Sequence, residues 1–345
     1  MAYFKNLEKP LAHLLSLFSK EQRWLITIIA DPDAVASALA LRRIMQNRVK
    51  SVTIASPTEM TRPDNLSMLK LLRISIEKFT PEMCSEYDRF AIVDSQPDHN
   101  PLFLPIDYSI VIDHHPEKED VQYDTDGRFI NVRPNYGATS TMMTEFLYNL
   151  DINITPRMAT ALQLGIRTDT GIFERSGSEV DMRAYQYLSK FANPDLRSHI
   201  LKSEYKMSWL PYFSMAFANF IAISGKESQI FTYLPEVDNG DILVAIADFC
   251  MRVQEIAWVA VAGKIDDHIT VIFRGGALNQ DLGELATIAF NEIGSAGGHR
   301  NIARAEIPIA NIPQKINIVE FLLREIADAL DETKDTLEES EEHDE

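Results

Sequence analysis

The sequence predicts an α/β fold in two domains. Three observations carry this: the chain of 345 residues exceeds one comfortable core, apolar strand-like runs alternate with helical patterns from residue 24 to 115, and a second such series starts near 221. The first series reads WLITIIA, AVASALALRRIMQ, SVTIAS, NLSMLKLLRI, FAIVD and SIVIDHH. Its strands are continuous apolar runs rather than alternating ones, which marks a parallel sheet buried on both faces.

The elements follow in order. TSTMMTEFLYNL after Gly137 has a helical pattern, and TPRMATALQLGIRTDTG opens a helix with Thr155 as N-cap and Pro156 in the first turn. Residues 181 to 220 are mostly helical, interrupted by Pro194 and Pro211. The second series runs IAISG, QIFTYLP, DILVAIADFCMRV, IAWVAVAGKI and HITVIFRGG, then a helix at LGELATIAFNEI and a glycine pair at 297–298. The expected boundaries are 1–190 for the first domain, 191–220 for a helical connector, 221–328 for a smaller α/β domain and 329–345 for an acidic tail. No internal repeat is seen, and the cleft between the domains is the expected active site.

Composition narrows the function. Hydrophobic residues make up 46% of the chain, enough for packed cores, and the formal net charge is −18. That charge argues against binding long duplex nucleic acid, which needs cations to neutralise phosphates. From Asp331 to Glu345 there are nine Asp or Glu against one Lys, a local charge of −8, so a solvated, partly disordered tail is expected. Its simplest role is solubility, with recruitment of a partner as the alternative. Cys84 and Cys250 stand far apart in no metal-ligand spacing, which fits a reduced cytoplasmic location. No apolar run is long enough for a membrane span, and MAYFKNLEKPLAHLL lacks the pattern of a signal peptide.

Four apolar runs end in aspartate: ITIIADPD with Asp31 and Asp33, FAIVD with Asp94, SIVIDHH with Asp113, His114 and His115, and LGIRTDTG with Asp169. Carboxyl ends of parallel strands lie on one edge of a sheet, so these acids are expected to meet there. That many carboxylates repel one another unless cations intervene. Oxygen and imidazole donors without thiolate suit Mn²⁺, with Mg²⁺, Co²⁺ or Zn²⁺ as alternatives. Two ions roughly 3.5–4 Å apart activate water for phosphoester hydrolysis. Taken singly, Asp31 or Asp33 reads equally well as a helix N-cap, Asp94 as the start of a loop, and Asp169 as part of a turn. The adjacent His114 and His115 gain nothing from packing.

These segments resemble the DHH phosphoesterase family: DPDAVAS, IVDS, VIDHHP and GIRTDTGIF stand where its motifs do, and GSAGGHRNIARAE resembles the substrate-binding loop of its C-terminal domain. The resemblance implies a parallel-sheet domain, a smaller mixed-sheet domain and a manganese-preferring site. By position, Asp31 would bind the first metal, Asp33 the second, and Asp94 both. His114 and Asp169 would complete the ligands of the second metal, His115 would face the scissile phosphate, and Asp113 would support the histidines from behind. In the smaller domain, Gly297, Gly298 and His299 would meet the substrate, with Arg274 as a phosphate clamp and Arg300 and Arg304 as further candidates. Two departures stand out. Thr27 occupies the place of a metal-binding histidine, which weakens the first site, and ARA replaces small residues and glycine in the loop. The expected activity is hydrolysis of short nucleotide substrates: very short RNA, 3′-phosphoadenosine 5′-phosphate or cyclic and linear dinucleotides. A catalytically weakened nucleotide-binding protein and a polyphosphate or pyrophosphate hydrolase are the alternatives, and a homodimer stays open.

Overall fold

The computed structural model describes residues 3–117, 126–173, 178–224, 226–276 and 280–342. The chain divides into two compact units, Met1–Glu204 and Tyr205–Glu345.

In the first unit, α1 (Glu8–Ser16) precedes β1 (Arg23–Thr27), α2 (Pro32–Met45), β2 (Ser51–Ser56), α3 (Pro63–Leu72) and β3 (Glu77–Lys78). Then come β4 (Arg89–Val93), β5 (Tyr108–Asp113), β6 (Phe129–Val132), α4 (Thr139–Asn149), α5 (Pro156–Asp169), α6 (Glu179–Leu188) and α7 (Pro194–Leu201). The sheet order is β3-β2-β1-β4-β5-β6, and every pairing is parallel. Strand order therefore reverses between β1 and β4, the switch point where open α/β sheets leave a crevice at their carboxyl ends. Alternate residues feed opposite layers. Trp24, Ile26, Ile110 and Ile112 pack with α2, α4 and α5, whereas Leu25, Ile92 and Val111 pack with Phe79, Phe103 and Tyr108. Burial of both faces is why these strands read as unbroken apolar runs.

The second unit holds α8 (Leu210–Ala218), β7 (Ile221–Ile223), β8 (Lys226–Leu234), α9 (Gly240–Cys250), β9 (Trp258–Ile265), β10 (His268–Gly275), α10 (Leu282–Phe290), β11 (Ser295–His299), β12 (Ile302–Pro308) and α11 (Ile318–Glu342). Its sheet runs β11-β12-β10-β9-β8-β7 and is mixed: β8 and β9 are parallel, the other pairs antiparallel. Helices α10 and α11 pack on one face and α8 and α9 on the other.

Several sequence expectations change. Residues 191–220 are shared between the units, since α7 packs on α3 and α5 while α8 packs on β8 and α9. The glycine-histidine segment is not a loop but strand β11, paired to β12 from Ser295 to His299. Glycine's poor strand propensity hides it, yet a Cβ on Gly298 would lie 2.2 Å from the Ile302 carbonyl oxygen, so close strand approach requires glycine there. The tail is helical through Glu342 as the end of α11. Buried Phe321, Leu322, Ile326, Ala329 and Leu330 anchor that helix, and the Glu, Leu and Lys that follow propagate it. Residues 343–345 lie outside the described residues.

Candidate metal centre

The first motif does two jobs at once. Asp31 is the N-cap of α2, its Oδ1 accepting the Ala34 N–H at 2.8 Å. Pro32 fixes the first helical turn, and Asp33 then points inward, fully buried. Its oxygens accept the backbone N–H groups of Thr139 and Ser140 at 2.7 and 2.8 Å. Helix α4 has Ala138 at its N-cap and no side-chain cap, so Asp33 satisfies from another helix the first donors that α4 leaves open. Helix α5 must come close for this arrangement. A Cβ on Gly165 would lie 2.4 Å from Ser140 Oγ and 2.8 Å from Asp33 Oδ1, leaving no room for any side chain larger than hydrogen.

Asp94 follows β4 with φ of +58°, a left-handed turn that aspartate tolerates better than most residues. Its N–H still donates to the Ile112 carbonyl of β5 at 2.9 Å, so the backbone stays registered while the side chain turns into the crevice. Both carboxylate oxygens are buried without a hydrogen-bond partner. Asp169 closes helix α5, as the helical stretch from Thr155 implies, and not a strand, as its grouping with the strand-end aspartates implies.

His114 stands beyond the end of β5. Its Nδ1–H donates to the Tyr136 carbonyl at 3.2 Å, and Nε2 faces Asp169 Oδ2 at 3.1 Å and Asp94 Oδ1 at 3.5 Å. Nε2 is buried and makes no hydrogen bond in this arrangement. Ligand atoms of Asp33, Asp94, His114 and Asp169 all lie within 4.8 Å of one another, and so do those of Asp94, His114 and His115. Asp31 belongs to neither set. Thr27 is buried, and its hydroxyl is hydrogen-bonded to the Tyr108 hydroxyl at 2.8 Å.

Asp113, fully buried, ties the histidine pair together. Its Oδ1 accepts from His115 Nδ1 and from the His114 backbone N–H, both at 2.8 Å. Gln96 donates to its Oδ2 at 2.8 Å and to the His115 carbonyl at 3.1 Å. Sequence reasoning missed Gln96, although its place directly after the IVDS strand end was a signal. His115 is half-exposed, so its Nε2 is the open nitrogen.

The electrostatics are those of crowded carboxylates, with His114 and His115 as their nearby countercharges. Burial raises Asp31 to about 6, helped by Asp33; burial and Asp169 raise Asp33 to about 6. Asp94 is pushed well above the usual range by burial and by Asp33, Asp31 and Asp169. Burial disfavours charge on His114, but Asp169 and Asp33 outweigh it and lift the imidazole to about 9. For Asp113, burial acts upward, yet hydrogen bonds from His115 and Gln96 hold it below its ordinary value. The orphaned oxygens of Asp94, the buried Nε2 of His114 and the surrounding carboxylates fit a divalent cation.

The residues expected to meet substrate lie in the second unit. Register places Arg274, Ile302 and His299 in one row, with Ile272, Arg304 and Gly297 in the next, so Arg274, Arg304, Gly297 and His299 share a sheet face. Arg274 is tied to Asp248 of α9 at 2.8 Å and to the Phe273 carbonyl at 3.0 Å. Arg304 pairs with Glu306 at 2.5 Å. A Cβ on Gly297 would meet open space, whereas Gly298 is held by β12. Arg300 sits in the turn beyond β11, its carbonyl accepting from Leu282 N–H at 2.9 Å.

Residues 25–166 match the DHH family, N-terminal domain. An uncharacterized protein of Methanocaldococcus jannaschii is 31% identical over 280 residues, which cover 81% of this chain and 56% of that protein. The chain thus spans about half the length of that curated relative. The crystal structure of an exopolyphosphatase-related protein from Bacteroides fragilis superposes with a TM-score of 0.70 at 17% identity, covering 97% of this chain and 100% of that one. Exonuclease RecJ bound to manganese gives a TM-score of 0.50 at 14% identity, with 96% of each chain covered. These two likenesses concern the fold. No described helix is long and apolar enough to cross a membrane. With its motif carboxylates and paired histidines gathered near the carboxyl edge of the parallel sheet, the first unit carries a DHH family, N-terminal domain over residues 25–166.

Proposed function

We propose that this protein hydrolyses phosphoester bonds of short nucleotide substrates, with Asp33, Asp94, His114 and Asp169 holding a divalent cation, Mn²⁺ by donor type. The observation that carries the reading is the cluster of buried polar atoms without hydrogen-bond partners, both Asp94 oxygens and His114 Nε2, gathered with Asp33 and Asp169. A bound cation supplies charge neutralisation and lowers the pKa of water beside the phosphate. The chain's own residues do the rest. Tyr136 fixes the His114 tautomer through Nδ1. Asp113 and Gln96 hold His115 so that its open Nε2 can donate a proton to the leaving oxygen. A half-exposed histidine with its pKa raised, first by the Asp113 hydrogen bond, keeps that proton near neutral pH.

A net charge of −18 favours a substrate of few phosphates over a long strand. The substrate face would be the β10–β12–β11 surface bearing Arg274, Gly297 and His299, with Gly298 between them in the strand and Arg300 beside it. A second reading, a nucleotide-binding protein with weak catalysis, is favoured by Thr27, whose hydroxyl is engaged by Tyr108, and by Asp31 standing outside the gathered set.

Turnover assays with Mn²⁺ separate the two. The substrates are 3′-phosphoadenosine 5′-phosphate, two- to five-nucleotide RNA, cyclic dinucleotides and pyrophosphate. Release of nucleoside monophosphate or phosphate from a nucleotide substrate is expected. Absence of turnover over a wide metal range, with nucleotide binding intact, establishes the second reading, and preference for pyrophosphate moves the substrate class.

A further inference from the structure

The turn between β6 and α4, residues 133–138, supplies the groups that support the cluster from behind. Tyr136 accepts from His114 through its carbonyl. Directly after the turn, the Thr139 and Ser140 N–H groups hold Asp33. The N–H between these two supports, that of Gly137, donates to Asp181 Oδ2 at 2.9 Å.

Asp181 lies on α6 and is fully buried. The same Oδ2 accepts from Ser178 N–H at 2.7 Å and Ser178 Oγ at 2.6 Å, while Oδ1 accepts from Thr141 Oγ1 at 2.5 Å. The contacts to Ser178 form the capping box of α6. The contacts to Gly137 and Thr141 add nothing to that cap. They fasten α6 to the turn and to the first turn of α4, on either side of the groups that touch His114 and Asp33.

We propose that Asp181 is a positioning residue for the cation site: its carboxylate holds the Tyr136–Thr141 segment at the place where one carbonyl orients His114 and two N–H groups orient Asp33. This rests on the reading that these residues bind a cation. A supporting partner outside the ligands typically changes metal affinity by about 10–100-fold. The segment holds two of the four gathered residues, so losing its anchor displaces both.

The test measures Mn²⁺ affinity by titration calorimetry on folded protein, well below the unfolding temperature, alongside that temperature itself. Asp181→Ala is expected to weaken Mn²⁺ binding by about tenfold or more. Asp181→Asn keeps an acceptor for Gly137 and is expected to stay within about threefold of the parent. Ser178→Ala removes the cap while leaving the Gly137 and Thr141 contacts, so it should lower the unfolding temperature with Mn²⁺ affinity unchanged. The proposal is overturned if Asp181→Ala lowers the unfolding temperature and leaves affinity intact, or if Ser178→Ala weakens Mn²⁺ binding as much as Asp181→Ala. Should Asp181→Ala not fold, Thr141→Val decides: binding about threefold weaker or more supports the proposal, and unchanged binding overturns it. Asp33→Asn is the reference. If it leaves Mn²⁺ affinity unchanged, the cation reading itself fails; if it weakens affinity while Asp181→Ala does not, only the role of Asp181 falls.

Discussion

The two sheets treat their charged residues in opposite ways. In the first unit, parallel strands deliver Asp94 with both oxygens buried and without a hydrogen bond, beside three other groups within ligand distance. In the second, the mixed sheet presents Arg274 already paired with Asp248 and Arg304 with Glu306. An unpaired buried carboxylate costs stability that only a ligand restores. A paired arginine on a sheet face costs little and can exchange its partner for an anion. The contrast separates a site built around a missing partner from a surface that is complete without one.

The sharpest way to break this comparison is Asp94→Asn. Activity is expected to fall by roughly 10²–10³-fold or more, while the cation-free protein becomes more stable, because a desolvated charge among like charges is removed. The cluster has an equally specific pH signature. Asp31 and Asp33 have folded values near 6, above their ordinary 3.8, so the folded state binds more protons than the unfolded chain between those values. Their contribution to stability in chelator is therefore lost as pH rises from about 4 through 6. His114, raised to about 9 from 6.5, adds stability that is present below 6.5 and lost as pH rises through 9. Thermal unfolding against pH, with chelator and with Mn²⁺, reads both windows. Mn²⁺ should flatten the acidic one; a slope identical with chelator and with Mn²⁺ would contradict the crowded-carboxylate account.

An intermediate effect is expected from Gly165→Ala, a change that touches no charge. The added methyl collides with Ser140 Oγ and Asp33 Oδ1, so overpacking should cost about 1–3 kcal/mol and Mn²⁺ affinity should drop by about tenfold as Asp33 moves. Denaturant unfolding and calorimetry check the pair. Loss of stability with affinity intact would show that α5 gives way rather than Asp33.

The smallest effect belongs to the second unit. Arg274→Ala should raise KM for a nucleotide substrate by about tenfold with kcat nearly unchanged, the size of one charge-assisted hydrogen bond. If instead only the unfolding temperature responds, the pairing with Asp248 is structural and the phosphate is held elsewhere.

Much of the candidate site was legible because strand ends leave a local trace. Asp31, Asp94, Asp113 and the two histidines each follow an apolar run, and a parallel sheet has one place for such ends to meet. Gln96 had a weaker trace and was passed over. Asp169 was found for an incomplete reason, since it closes a helix whose period runs through GIRTD. Neither Gly165 nor Asp181 looks unusual in its own stretch, because each acts on residues far away in the chain.

Local pattern thus determined the element types, the parallel sheet and the identity of its polar edge, because burial on two faces and helical period are written into neighbouring residues. Tertiary structure alone decided that α4 arrives uncapped over Asp33, that Thr27 turns to Tyr108, and that the glycine-histidine segment is a strand. Each of these depends on which atoms of distant elements come within hydrogen-bond or van der Waals distance, a property of packing that no single stretch of sequence contains.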